Sequence, residues 1–242
     1  MLLKITKKCC MGCSHCLENA TPDGEHMSKE TFEKVFKFIR DINPFFLLVS
    51  GGEPTDSPYF FEYMERLISF FGKERLLIAT NGIFLYNKEF TDRVLSLGVG
   101  LQITNDVRYY PMSINMNVEH ELIKYEDHIR TMYPMGRAVT NGFKAQGMNA
   151  PYCFNLRSIG RNINTKTFKE AVRLMEANMK VCSPSIDIYG NIIVGESSLC
   201  HSIGTVETED SQLLHNLKNM KCNKCKMEDN LPLHLRMYIN TI

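Results

Sequence analysis

Cys9, Cys13 and Cys16 stand within eight residues in a C-x3-C-x2-C array. Thiolates are soft ligands, and three of them on one short loop can hold an iron or zinc centre. A four-iron cluster held by only three cysteines keeps one iron open for a further ligand. Catalytic metal sites in general keep such a position, whereas structural sites fill it. His15 lies between the second and third cysteines and could supply a fourth ligand, so a closed zinc clip is the alternative. Cys10 offers a competing C-x2-C-x2-C register.

Such an array needs an element to aim it. Leu2-Leu3-Lys4-Ile5-Thr6 reads as a short strand that runs straight into the cysteine loop. Pro22-Asp23-Gly24 then signals a turn. Ser28 can cap a helix whose apolar positions are Phe32, Val35, Phe36 and Ile39, one face at helical spacing. Phe45 to Val49 is a continuous apolar run, as suits a parallel strand buried on both faces. Ser57 and Pro58 open a second helix as N-cap and first residue, with Phe61, Met64, Ile68 and Phe71 as its buried stripe and Gly72 closing it. A third strand spans Leu76 to Ala79, a third helix covers about 87–97, and a fourth strand spans Gly100 to Thr104. Strands alternating with helices imply βαβ units, hence an α/β fold on a parallel sheet. Beyond Asp106 the pattern predicts a helix over Val118 to Tyr125 and a fifth strand over His128 to Tyr133. A helix follows over about 165–179. Ser185 to Ile188 and Ile192 to Val194 flank Tyr189-Gly190-Asn191 as a β-hairpin, and a last helix lies near 210–220.

Polar residues end the predicted strands on one side. Gly51-Gly52-Glu53-Pro54 follows the second strand directly. Glycines let backbone approach a ligand closely, and strand C-termini are where parallel α/β folds bind ligands. Read alone, the stretch is equally a tight turn. Thr80-Asn81-Gly82 ends the third strand and Thr104-Asn105-Asp106 the fourth, both facing the same cavity mouth, although Asn and Asp are also ordinary turn residues.

The chain has 242 residues, enough for one α/β domain or one with a small appendage, and it should bury on the order of 70–75% of its unfolded surface. Its net charge of +1 gives no electrostatic footprint for nucleic acid or an anionic membrane. No apolar run approaches the ~20 residues that span a bilayer, and the start is too short for a signal peptide. A cytoplasmic location is therefore expected, where nine cysteines read as metal ligands or reactive thiols rather than disulfides.

The strand that runs into Thr6-Lys7-Lys8-Cys9, followed by Cys13 and Cys16, resembles the opening of the radical SAM (S-adenosylmethionine) enzymes. There a first strand leads into T-x-x-C-x3-C-x2-C, and the Thr6 register selects Cys9 over Cys10. The resemblance implies a partial (β/α)6 barrel of TIM type, a [4Fe-4S] cluster on Cys9, Cys13 and Cys16, and SAM on its open iron. Reductive cleavage of SAM would give a 5′-deoxyadenosyl radical that abstracts a hydrogen atom from substrate. It also implies that Gly51, Gly52, Glu53 and Pro54 hold the methionine amino group of SAM, Glu53 through its carboxylate. Thr104 takes the place of a serine hydroxyl that helps hold SAM, and Asp106, Asn81 and Arg137 (in Gly136-Arg137-Ala138) join the cofactor-binding set. His15 stands where an aromatic often abuts SAM.

Toward the C-terminus, Cys182, Gly195-x4-Cys200 and Cys222-x2-Cys225 partly resemble the SPASM and twitch extensions that bind auxiliary iron–sulfur clusters. The division implied is a core barrel over 1–164 and an auxiliary extension over 165–242. Cys182, Cys200, Cys222 and Cys225 suffice for one auxiliary [4Fe-4S] cluster, a zinc site from the same four being the alternative. Cys10 and Cys153 are left over, Cys153 as a small core residue, a replacement ligand or a hydrogen-atom donor near the substrate. Such extensions accompany enzymes that modify peptide or protein side chains. Eight residues before Cys9 leave no room for a leader-binding domain, so a separate leader-peptide-binding protein is expected, beside a flavodoxin- or ferredoxin-type reductant. The alternatives are a small metabolite as substrate, a glycyl-radical-enzyme activase, or a non-catalytic iron–sulfur electron carrier. With two clusters of about four irons each, reconstituted chain should carry about eight irons. Cys222→Ala with Cys225→Ala should lose the second set and keep the first. Iron analysis that gives only about four in the wild type contradicts the auxiliary cluster.

Overall fold

Short apolar runs settle at the centre of a sheet when helices cover both faces. The structure, a computed structural model, describes residues 1–104, 108–111, 118–126, 134–144, 165–177 and 184–220. Its central strand is the first: β1 (Leu2–Lys4) pairs in parallel with β2 (Leu47–Ser50) on one side and β6 (Pro184–Ile186) on the other. β3 (Leu76–Thr80), β4 (Gly100–Thr104) and β5 (Ile123–Glu126) extend the sheet beyond β2, all parallel. β7 (Asn191–Val194) and β8 (His201–Thr205) add antiparallel strands beyond β6, which gives the order β5-β4-β3-β2-β1-β6-β7-β8. The fold is α/β on a mostly parallel sheet, as expected. Because the first six strands are parallel, their C-terminal ends share one edge.

The helices clamp this sheet through apolar faces. In α1 (Lys29–Ile42), Ser28 caps by accepting from the Thr31 amide at 3.0 Å, and Phe32, Val35, Phe36 and Ile39 are buried as their spacing predicts. The second helix departs from expectation. Pro54–Asp56 forms a 3-10 turn, Ser57 ends it, and α2 (Phe60–Phe71) starts later than Ser57 and Pro58 imply. Its buried face is Phe60, Tyr63, Met64, Leu67 and Phe71, with Phe61 and Ile68 only partly covered. The rotation follows from Tyr63, which stacks on Phe32 of α1 with centroids 3.8 Å apart and donates its hydroxyl to the Met27 carbonyl. A tyrosine counted as polar by pattern is core when its hydroxyl finds a partner. α3 (Lys88–Ser96), α4 (Arg137–Thr140), α5 (Phe168–Ala177) and α6 (Asp210–Asn219) complete the described helices.

Other expectations need correction. Val118 to Tyr125 is not a helix. Ile123–Glu126 is β5, in register with β4 through Leu101↔Ile123 and Ile103↔Tyr125, so the edge of the sheet captures a segment whose local spacing looked helical. The strand expected over 128–133 lies outside the described residues. The hairpin over Tyr189-Gly190-Asn191 is present, but β8 was not foreseen: among its five residues only Ile203 is fully buried. β6 lies directly beside β1, so strands from both sides of residue 164 share the sheet; the division into core and extension stays a proposal.

Lys4 is an oddity in an apolar central strand, and its partner explains it. Only 3% exposed, it places Nζ 2.7 Å from Glu18 Oε1 and 3.4 Å from Ser198 Oγ. Glu18 in turn accepts the Ser198 amide on both oxygens, and Ser197 Oγ donates to the Leu17 carbonyl at 2.7 Å. One buried ion pair thus ties β1 to the chain just past Cys16 and to the loop after β7. Removing one partner of such a pair strands the other charge, at a cost of about 3–5 kcal/mol. Lys4→Ala should lower stability by that order in urea unfolding; an unchanged midpoint would show that the pair contributes nothing.

Candidate active site

The chain between β1 and Cys9 runs as an extended ribbon between two others. On one side the Ile5 amide donates to Ser50 O, the Gly52 amide to Thr6 O at 2.7 Å and the Glu53 amide to Lys8 O at 2.8 Å. On the other side Lys7 N donates to Glu25 O, Met27 N to Ile5 O and Cys9 N to Thr21 O. The two glycines are what permit the first contact. A Cβ on Gly51 would lie 2.3 Å from Thr6 O, and one on Gly52 the same distance from Lys8 O. Their close approach is therefore to the ribbon that delivers Cys9.

At the end of that ribbon the cysteine loop packs as a small satellite core. Cys9, Met11 and Ala20 are buried, with Cys13, Cys16, Ile83 and Tyr110 against them, while Cys10 faces out. Burial pushes the Cys9 thiol up to about 11, helped by the charges of Glu53 and Cys16. Burial pushes Cys13 up to about 12, and after it the repulsion of Cys9 and Cys16. The three sulfurs thus lie within electrostatic reach of one another in a poorly hydrated pocket, where a bound cationic centre would neutralise them. Among the described residues no three His, Cys, Asp or Glu side chains converge as on a single ion. Thiolates that each take a different iron of one cluster need no such convergence. On this donor set the residues fit a cluster.

Further stretches of the chain hold the loop. The Arg137 backbone amide donates to Cys16 O at 2.9 Å, its Nη1 to Cys13 O at 2.9 Å, and its Nη2 to Ala20 O. Gly136 makes this possible: with φ +56, its Cβ position is 2.6 Å from Leu17 O and 2.7 Å from Cys16 O. Asn141 Nδ2 donates to Ser14 O, and the Ser14 amide to Tyr109 O. His15 packs against Tyr109 and Tyr110, centroids 4.9 and 5.9 Å apart. Asp56 sits near Lys8 and His26, and burial, the larger influence, raises its carboxyl.

Glu53 is fully buried, and its carboxylate is engaged within the chain. Oε1 accepts from Thr55 Oγ1 (2.6 Å), Thr80 Oγ1 (2.7 Å) and the Thr55 amide (3.2 Å), and Oε2 from the Asn81 amide (2.8 Å). Burial raises its pKa against the pull of these donors. Asn81 Oδ1 accepts from the Ile83 amide at 2.9 Å, and Asn81 Nδ2 points to Cys9 Sγ at 3.6 Å. Pro54 is buried at the head of the 3-10 turn.

The structure therefore brings Cys9, Cys13, Cys16, Gly51, Gly52, Glu53, Pro54, Asn81 and Arg137 to one end of the sheet. Thr104, half-buried, ends β4 at the same edge, opposite Glu126. Cys200 follows β7 at the turn before β8, with Sγ 3.4 Å from Met135 Sδ. Asp106, Cys153, Cys182, Cys222 and Cys225 lie outside the described residues. Sequence reasoning missed Thr55 and Thr80 as partners of Glu53, and Lys4, Glu18 and Asn141 as supports of the loop. Lys4 carried a signal, a lone charge in a central strand. Thr80 carried one too, as a polar residue ending the third strand.

The sequence profile of the Radical SAM superfamily matches residues 3–124, just over half of the chain. No curated protein sequence matches significantly. Among solved structures, BtrN in complex with AdoMet and 2-DOIA aligns with a TM-score of 0.54 at 16% identity, covering 90% of this chain and 82% of that one. BtrN in an open conformation aligns at 0.53 and 13%, covering 96% of both chains. Native anSMEcpe with bound AdoMet and the Cp18Cys peptide aligns at 0.52 and 12%, covering 96% of this chain and 84% of that one. At these identities the likeness is one of fold, and it agrees with the partial barrel. With the profile matched along the strand, the cysteine loop and the Gly51–Pro54 turn, the chain belongs to the radical SAM superfamily of enzymes.

Proposed function

We propose that the chain uses Cys9, Cys13 and Cys16 to hold the [4Fe-4S] cluster that its family implies, and acts on a peptide or protein side chain. The observation that carries this is the stacking of Gly51–Glu53 on the ribbon that ends in Cys9, which joins the two motifs into one site. When bound, the cluster and SAM supply a 5′-deoxyadenosyl radical that removes a hydrogen atom from substrate. The chain's own residues position and exclude. Arg137 and Asn141 fix the carbonyls of the cysteine loop, so the thiols are set before any ligand arrives. Burial of Cys9 and Met11 keeps water from the sulfurs. The backbone of Gly51 and Gly52, with Pro54, Thr104 and Asp106, is proposed to hold SAM, and His15 to lie against it. In this reading Glu53, with its carboxylate engaged by Thr55, Thr80 and Asn81, shapes the cofactor wall from behind.

The peptide assignment draws support from the fold likeness to anSMEcpe, whose structure holds AdoMet and a peptide. The likeness to BtrN, whose structure holds AdoMet and 2-DOIA instead, supports a small metabolite as the second reading. An auxiliary cluster on Cys182, Cys200, Cys222 and Cys225 is part of the proposal. In its favour, β6 and β7 pair so that Pro184, close after Cys182, meets Val194 on the approach to Cys200.

Reconstituted chain under dithionite should cleave SAM slowly to 5′-deoxyadenosine without substrate, and Cys13→Ala should abolish this. Wild-type turnover in the mutant would show that the array is wrongly assigned. For substrate class, extracts of cells grown in deuterated medium can be split into peptide and low-mass fractions. Deuterated 5′-deoxyadenosine should form with the peptide fraction. Label from the low-mass fraction alone would favour the metabolite.

A further inference from the structure

Cys9 differs from Cys13 in what reaches its sulfur. Cys9 Sγ takes the Met11 amide at 3.5 Å and Asn81 Nδ2 at 3.6 Å, the latter from the end of a different strand. Asn81 is only 9% exposed and is fixed at both ends. Its backbone amide donates to the buried Glu53 carboxylate at 2.8 Å, and its Oδ1 accepts the Ile83 amide at 2.9 Å. That second bond settles the orientation of the side-chain amide, because the oxygen is committed to Ile83 and the nitrogen must face the sulfur. Asn81 thus presents one N–H to each of two buried acceptors, a carboxylate and a cysteine sulfur.

Resting on the reading that Cys9, Cys13 and Cys16 hold the cluster, we propose that Asn81 is a positioning residue that sets the cluster's reduction potential through its hydrogen bond to Cys9 Sγ. Hydrogen bonds to ligand sulfurs are a recognised control on cluster potential. An N–H dipole with its positive end on the sulfur stabilises the more negative, reduced state and so raises the potential. Burial strengthens the effect, since little water screens the dipole. Glu53 acts one step further back, by fixing the Asn81 backbone.

The test measures iron content and, by reductive titration followed by electron paramagnetic resonance, the midpoint potential of the reconstituted full chain. Asn81→Asp keeps an oxygen for the Ile83 amide but replaces the donor with a charged acceptor. Asn81→Ala removes the donor and adds no charge. Both variants should keep the iron of the first cluster and shift its potential to more negative values, Asn81→Asp further than Asn81→Ala. Cys222→Ala with Cys225→Ala as background isolates the first cluster. An iron-loaded Asn81→Ala with wild-type potential overturns the proposal while leaving the cluster assignment intact. Loss of iron from both variants also overturns it, by making Asn81 a support of the fold. A wild-type chain without iron overturns the assignment beneath it, and the proposal falls with it.

Discussion

A buried carboxylate is the knot of this site. Glu53 follows two glycines that lie against the ribbon leading into Cys9, and its side chain then turns inward to the end of β3. Burying a carboxylate costs several kcal/mol unless donors surround it. Here two threonine hydroxyls and two backbone amides do so. The consequence is geometric: the ends of β2 and β3 cannot move independently, and the Glu53 amide on Lys8 O adds the lead-in to the cysteine loop. A site built on three strand ends becomes one rigid unit at the cost of one buried charge.

The cysteine loop has almost no regular structure of its own, so its shape is imposed from outside. Arg137 holds three of its carbonyls through one backbone and two guanidinium bonds, and Lys4–Glu18 fixes its exit. These supports come from widely separated parts of the chain, β1, the 134–144 stretch and the loop after β7. The arrangement explains why the thiols can be crowded and buried although burial, and after it their mutual repulsion, raises the pKa values of Cys9 and Cys13. The bonds from Arg137 and Asn141 end on carbonyls of the loop and not on its sulfurs.

Much of this was legible in the residues. The β1-loop junction, β2 to β4, α1 with its Ser28 cap and the hairpin at Gly190 follow from apolar runs, periodicity and turn chemistry, because these are local rules. Of the two competing cysteines, Cys9 is turned in and Cys10 out. What failed was decided by tertiary partners. Tyr63 entered the core because Phe32 offered a ring and Met27 a carbonyl, which rotated α2. Ile123–Glu126 became a strand because β4 had an open edge. Glu53 and Arg137, candidate cofactor contacts, also have partners within the chain that spacing alone could not reveal. A charge within a motif says that a partner exists, not which one.

The central claim is that three thiolates on this loop hold a cluster whose open iron receives SAM. Electron paramagnetic resonance of the reduced chain, recorded with and without SAM, tests it most directly. The account predicts a four-iron signal that changes on adding SAM and is lost in Cys13→Ala. A signal that is the same with and without SAM, or zinc in place of iron on the loop, would contradict it.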